Sequence, residues 1–442
     1  MSQVFYPSKF KFVSMDALVA PMRNICDMQI HAVLSFNGFL EFQRLKKALY
    51  LLVETEPILG CRLQEGYWRS SWQRRDDLDD IELCTLIETD EPETELQQML
   101  ITPIDEAVEP LLQLRLFRAK ADLLCIKVSH LVADAGGVKE CLYTLAFYYN
   151  RLATTPDFFP EPNLRGDRSV FQILRRFGWL ERLKILRRNL RNHLDRLALS
   201  GVWHFPEKEG ATPTKKRVIF RHIDPLQFDA IKRFGRCYQA TLNDILVAAY
   251  ARALYPLIQP TPGTLLMLMG TVDLRRYLPN HRASAICNLS STIPIKIGLE
   301  LGEDLVATTK KVSQTMNALK ADLIGLGDLA VSPYLHSLLP AVFTQNFLSA
   351  IFKRVVHFFP PSMTNLGRIE PEKLQFAKIE VERAFLTPPI VFPGAFTGGV
   401  SGFGNSITFA FGFCEGAIEA TEVEALLDRV LRELPDPIEF IM

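Results

Sequence analysis

The 442-residue sequence predicts an α/β fold of two lobes, each a mixed sheet flanked by helices. Three observations carry this expectation. Apolar runs of strand length alternate with stretches of helical periodicity through both halves of the chain. The chain is longer than one hydrophobic core supports, so two domains are expected. The stretch Thr155–Asn163, with Pro156, Asp157, Pro160, Glu161 and Pro162, interrupts the alternation and reads as a boundary.

In the first half, Gln29–Phe36 reads as a strand. Phe42–Glu54 reads as a helix, because Leu45, Ala48, Leu51 and Leu52 fall on one face. Strand-like runs follow at Cys61–Gln64, Ile81–Leu86, Leu112–Phe117 and Leu123–Val128, and then a helix over about Gly137–Arg151. Past the boundary, Arg165–Arg196 holds ten Lys/Arg against three Asp/Glu, a net +7, so the remainder of the neutral chain carries −7. Phe177, Leu180, Leu183, Leu186, Leu190, Leu194 and Leu197 recur every three or four residues, giving one apolar and one cationic face. A second loop, Pro206–Thr214, closes this linker. The expected organisation is a lobe at 1–160, a basic amphipathic linker at 161–213 and a lobe at 214–442.

The second half repeats the alternation. Arg217–His222 reads as a strand and Asp224–Tyr238 as a helix. Leu242–Tyr255 reads as a second helix, with Thr241 as N-cap and Asp244 in its first turn. Strands are expected at Leu265–Val272 and Ser290–Ile297, and helices at Glu303–Leu319 and Ala330–Val356. Further strands are expected at Gln375–Val381, Ala395–Val400 and Asn405–Phe413, before a last helix, Glu422–Leu434. The apolar stretches Leu338–Phe352 and Phe358–Pro361 read as plain core or, alternatively, as the lining of an acyl pocket.

Composition narrows the function. Fifty basic residues balance fifty acidic ones at a pI near 7.1, which argues against a bulk nucleic-acid binder. The eight cysteines are scattered, with no CxxC pair, so neither a disulfide framework nor a metal site is expected. Met1–Phe12 lacks the apolar core of a secretory leader, and no run of 18 apolar residues occurs. A reducing, cytoplasmic setting is therefore expected. No GxGxxG or GxxxxGK[ST] loop appears, so no bound nucleotide cofactor is expected.

The chemistry concentrates at Ser129-His130-Leu131-Val132-Ala133-Asp134-Ala135-Gly136-Gly137. A histidine stands at the end of an apolar strand run, an aspartate four residues on, then two glycines and a helix. Such a strand end presents an imidazole at a sheet edge, where it can take a proton from a hydroxyl or an amine. The other histidines, His31, His193, His204, His222, His281, His336 and His357, have no partner at catalytic spacing and read as structural.

Ser129–Gly136 resembles the HHxxxDG motif of the HxxxD acyltransferase superfamily. That superfamily includes chloramphenicol acetyltransferase, peptide-synthetase condensation domains, plant acyltransferases, wax ester synthases and polyketide-associated acyltransferases. The resemblance extends to Phe36–Leu40 with Glu56-Pro57-Ile58-Leu59, to Ala240–Leu254, to Val272-Asp273-Leu274-Arg275 with Asn288, and to Thr364-Asn365-Leu366-Gly367. It implies two chloramphenicol-acetyltransferase-like lobes forming a V with a central tunnel. His130 would be the general base, and Asp134 would support the loop by pairing with Arg275. Gly136 and Gly137 would let the donor's pantetheine arm approach the backbone. Thr364 and Asn365, on the facing strand, would polarise the carbonyl or orient the acceptor. Ser129 stands in place of the first motif histidine and Ala135 in place of the glycine after aspartate. The plant-type DFGWG motif is absent, and Ser401–Asn405 occupies its place.

The resemblance thus implies acyl transfer from an acyl-CoA or phosphopantetheinyl thioester to an alcohol or amine, with no covalent enzyme intermediate and no permanently bound cofactor. A free-standing condensation enzyme forming amides from carrier-bound acyl groups, a non-catalytic binder of acyl chains or a partner, and a peripheral membrane lipid acyltransferase are the alternatives. The expected partners are a small-molecule acceptor and an acidic acyl or peptidyl carrier protein drawn to the basic segment. The chain is expected to act as a monomer.

Overall fold

The computed structural model describes residues 5–187, 215–258, 265–298, 300, 302–321, 323–327, 340–355, 360–392, 397–416 and 418–437. Most of the expected amphipathic linker, from 188 onward, lies outside these residues, as do 328–339 and 356–359. His193, His204, His336 and His357 lie outside them too.

Two mixed sheets organise the chain. The first has five strands in the order Val381–Thr387, Gln29–Phe36, Asp122–Ser129, Leu112–Arg118 and Cys84–Glu88. All neighbours are antiparallel except the last pair. Helices Phe42–Thr55 and Ala135–Thr154 pack on one face through Leu45, Leu49, Leu52, Leu142 and Leu145. The second has six strands in the order Ser290–Gly298, Leu265–Asp273, Ser362–Ile369, Thr397–Phe403, Ser406–Glu415 and Lys215–Ile223. Helices Leu242–Ile258, Leu305–Ala321 and Ala420–Glu433 cover it, burying Leu246, Tyr250, Val312, Leu427 and Val430. A third apolar cluster joins Val33, Phe117 and Cys125 of the first sheet to Val218 and Cys414 of the second. The lobes therefore meet over a packed seam.

Local chemistry sets the element ends. Asp224 accepts from the Gln227 N–H at 2.9 Å, and Pro225 starts the helix with φ already in place. Thr241 and Asp244 close a reciprocal capping box, Asp244 N–H to Thr241 Oγ1 at 3.3 Å and Thr241 N–H to Asp244 Oδ2 at 3.0 Å.

The structure departs from the sequence reading at several places. Gln375–Val381 is not a strand. Phe376 and Ile379 instead close a tight turn, paired with each other in an isolated bridge, in which Ala377 takes φ +57° and donates its N–H to Asn150 Oδ1 at 2.7 Å. The strand begins at Val381 and joins the first sheet beside Gln29–Phe36, so the first lobe borrows an edge from the far end of the chain. Pro92–Ile101 is a helix that the sequence reading passed over, and the strand expected at Ile81–Leu86 begins at Cys84. Helix Ala341–Val355 is not plain core. Phe343, Phe347 and Ile351 lie on the surface.

All eight cysteines are free thiols, and seven are buried. Among the described residues no helix is long and apolar enough to cross a membrane, and no cluster of His, Cys, Asp and Glu could hold a metal ion.

Gly398 tests the second sheet. The Phe411 ring lies 2.2 Å from where a Cβ at Gly398 would stand, and the two residues face each other across neighbouring strands. Gly398→Ala must push a buried aromatic aside, which costs about 1–3 kcal/mol. Denaturant unfolding should show that loss, and an unchanged midpoint would mean that the ring relaxes freely.

Candidate active site

Strand Asp122–Ser129 ends inside the first lobe, and the chain turns before helix Ala135–Thr154. Ser129 builds the turn. Its carbonyl accepts from the N–H groups of Val132 and Ala133, and its buried hydroxyl accepts from Leu131 N–H and donates to Glu106 Oε1 at 2.9 Å. A hydroxyl at this position thus supplies bonds that fix the loop. Asp134 is the N-cap of the helix, accepting from the Gly137 N–H at 2.9 Å. Ala135 is the first residue of that helix and has no positive φ, so a glycine is not required there.

His130 is partly exposed at the end of the strand, and its N–H continues the sheet by donating to Met28 O at 2.8 Å. Its ring Nδ1 lies 2.9 Å from Ala133 O. A carbonyl oxygen only accepts, so the proton sits on Nδ1 and the neutral ring keeps its lone pair on Nε2. Burial in the protein pushes the imidazole pKa below its ordinary 6.5. The Ala133 carbonyl, the charge of Asp134 and the Asn288 side chain pull the other way without cancelling the shift. The ring is a neutral base near pH 7, with one nitrogen anchored and the other available.

Asp134 itself is buried, and Arg275 Nη1 lies 2.9 Å from its carboxylate. Burial alone would raise the Asp134 pKa. The Arg275 charge and hydrogen bonds from Arg275, Gly137 N–H and Leu289 N–H outweigh it and hold the group below its ordinary value. Burial works against the Arg275 guanidinium in turn, but Asp134 and Asp273 raise its pKa and keep it charged. Arg275 also donates to Cys287 O at 2.8 Å and to Asp273 Oδ1 at 3.1 Å. One ion pair therefore joins the loop of the first lobe to two segments of the second.

The glycines serve that ion pair. A Cβ on Gly136 would stand 2.4 Å from Arg275 Nη1, and one on Gly137 would stand 3.2 Å from Cys287 O. The space their missing side chains leave is filled by the protein itself, a different use from the donor approach that the resemblance implies.

Thr364 and Asn365 lie on strand Ser362–Ile369 of the second sheet, where the pairing with Thr397–Phe403 shifts register between Asn365 and Gly367. Asn365 Oδ1 accepts from Gly367 N–H at 2.9 Å, and its amide donates to Asn243 Oδ1 at 3.0 Å. Asn365 thus braces the irregularity. Among the described residues, neither residue shows a hydrogen bond to His130 or Asp134.

Two groups escaped assignment in the sequence. Asn288, quoted there only as part of a segment, donates to His130 O at 2.7 Å and Leu131 O at 3.1 Å, fixing the backbone on which the imidazole sits. Asp16, wholly buried, accepts a bidentate pair from Arg168 at 3.0 Å and the Trp72 indole N–H at 2.8 Å. Arg168 in turn donates to Val132 O and Ile286 O. These residues are 152 positions apart, and no local pattern marks them.

No protein-family model matches the chain, and no curated protein matches its sequence. Solved structures do. A condensation domain, the first of the CDA synthetase, superposes with a TM-score of 0.72 at 17% identity, covering 99% of this chain and 97% of that one. The polyketide synthase associated protein 5 of Mycobacterium tuberculosis gives 0.68 at 17% identity, over 97% and 98%. The trichothecene 15-O-acetyltransferase of Fusarium sporotrichioides gives 0.68 at 11% identity, over 96% and 95%. The chain has the fold of condensation domains, and these matches cover 96–99% of it.

Two measurements check this geometry. Arg275→Met leaves Asp134 as an unpaired buried charge and should cost about 3–5 kcal/mol in urea unfolding. A loss under about 1 kcal/mol would mean that water reaches the pair. In an NMR titration, the His130 ring should titrate below 6.5 with Nε2 unprotonated in the neutral form. Since the folded pKa lies below the unfolded one, the protein should also lose stability as pH falls through and below 6.5.

Proposed function

We propose that the protein is an acyltransferase that moves an acyl group from a CoA or carrier-protein thioester to an alcohol or amine, with His130 as general base. The observation that carries the proposal is the pinned tautomer. Nδ1 is committed to Ala133 O, so Nε2 is the one ring nitrogen left to accept a proton. The proteins that share the fold include an O-acetyltransferase and a condensation domain, which supports acyl transfer of one kind or the other.

In the proposed reaction the acceptor O–H or N–H gives its proton to Nε2 as its heteroatom bonds to the thioester carbonyl carbon. The tetrahedral oxyanion then collapses, the C–S bond breaks, and the imidazolium returns the proton to the departing thiolate. Atoms balance without a covalent enzyme intermediate. Asp134 lies within the loop and pairs with Arg275, so its part is to hold the histidine in place and favour the transient imidazolium. Thr364 and Asn365 are proposed to border the acceptor, whereas the space beside Gly136 and Gly137 is taken by Arg275 and Cys287, so no donor contact is assigned to those glycines. An acidic carrier protein suits the cationic segment that begins at Arg165, of which Arg175, Arg176 and Arg182 are exposed among the described residues.

Thiol release is the test, with a panel of acyl-CoA and acyl-carrier thioesters and mixed alcohols and amines as acceptors. The parent should release thiol, and His130→Ala should lose about 10²–10⁴-fold while keeping its unfolding midpoint. Near-normal turnover in the variant would remove His130 from the mechanism. The acid limb of the parent's rate profile should fall below pH 6.5, because the base stays unprotonated to lower pH than an ordinary histidine.

A further inference from the structure

The surface carries a second feature, remote in character from the polar loop around His130. Helix Ala341–Val355 packs against residues 20–24 with one face, where the Ser349 hydroxyl accepts from the Asn24 amide at 2.9 Å. Its other face is open. Phe343 is 64% exposed and Phe347 67%, and Ile351 continues the same line one turn further, a spacing of four residues at each step. The loop between strands Cys61–Gln64 and Ser71–Arg74 brings two more rings to the start of this helix, Tyr67 and Trp68, the latter 65% exposed. The two rings meet edge to face at 5.8 Å. Five large apolar side chains thus stand in water, although an ordinary soluble surface scatters them singly.

Two further observations say what covers them. The first is charge. The helix sequence contains no aspartate or glutamate, and it ends in exposed Lys353 and Arg354. Arg69 follows Trp68 in the loop, and the nearby carboxylate of Glu65 is paired with Arg23 at 2.5 Å. An anionic surface complements such a patch. The second is backbone satisfaction. The N–H groups of Ala341 and Val342, which a helix start leaves unpaired, donate to Trp68 O at 3.1 Å and Tyr67 O at 3.2 Å. These polar groups at the aromatic end are therefore already paired and make no demand for water. An apolar medium that offers no hydrogen bonds in return tolerates this arrangement. Trp and Tyr at one end, a Phe and Ile stripe between, and cations at the other end match a helix lying in the interfacial plane of a bilayer.

We propose that Tyr67, Trp68, Phe343, Phe347 and Ile351 form a docking face for a membrane surface bearing anionic lipid, with Lys353 and Arg354 against the headgroups. The face rests on surface chemistry alone and stands whether or not His130 is catalytic.

Vesicle flotation of the full-length protein tests it, with phosphatidylcholine alone and with added phosphatidylglycerol. The parent should float with the mixed vesicles and bind less as salt is raised. The triple variant Trp68→Ser, Phe343→Ser, Phe347→Ser should lose at least about tenfold of that partition, given the area of aromatic surface removed. Phe347→Gln alone should lose part of it, and serves if the triple variant does not fold. Lys353→Glu with Arg354→Glu should weaken binding to the mixed vesicles and leave phosphatidylcholine unaffected. A parent that floats with neither vesicle overturns the proposal, and so does a folded triple variant that binds like the parent. A parent dimer that the triple variant converts to monomer in sedimentation also overturns it, because the occupant is then a second copy of the chain.

Discussion

The contact between Arg275 and Asp134 is the constraint around which the site is built. It places a full charge of each sign where water hardly reaches, and each is tolerable only because the other is there. The requirement propagates outward. Gly136 lacks a side chain so that the guanidinium can lie against the helix start, Cys287 turns its carbonyl to receive a second N–H, and Leu289 donates its own N–H to the carboxylate. A connecting loop such as this one would ordinarily be among the mobile parts of a protein. Here it is held by a charge and by backbone groups that the second lobe supplies.

The same loop is gripped from its far side by Asp16, Arg168 and Trp72. Arg168 touches the carbonyls of Val132 and Ile286, while Asn288 touches those of His130 and Leu131. Two buried networks of different origin in the sequence therefore fasten segments 130–134 and 286–289 to each other. Such redundancy fixes the direction of the imidazole more tightly than either network alone. Ser129 and Ala135 fit this loop on their own terms: the serine hydroxyl makes two bonds, and the alanine needs no positive φ. The positions that matter are those that supply these bonds.

Much of this was legible in the chain. Alternation of apolar residues located strands such as Gln29–Phe36 and Cys61–Gln64 at their observed bounds, because each has a buried and a solvated side or lies fully in a core. His130 was visible as a polar residue ending an apolar run, and Arg275 through the segment around Val272–Arg275. Other features were hidden for physical reasons. Phe376 and Ile379 made Gln375–Val381 read as a strand while lying in a turn, since a turn packed on a core needs apolar residues too. Phe343 and Phe347 read as interior because periodicity reports that a helix has an apolar face without saying what that face meets. The glycines of the motif announced close approach, and only coordinates show that the approaching group is the chain's own arginine.

Strand Val381–Thr387 has a consequence for how the protein is made. The first sheet needs it to cover Gln29–Phe36, yet some 345 residues separate the two partners along the chain (Phe36 pairs with Val381). As the polypeptide leaves the ribosome, the N-terminal lobe emerges with that edge uncovered, and it stays so until most of the chain has followed. An open apolar strand is a template for pairing with any other chain nearby, and closing so long a loop is slow. Nascent chains stalled before residue 381 should therefore be clients of chaperones, and the last segment acts as the clasp that ends that dependence.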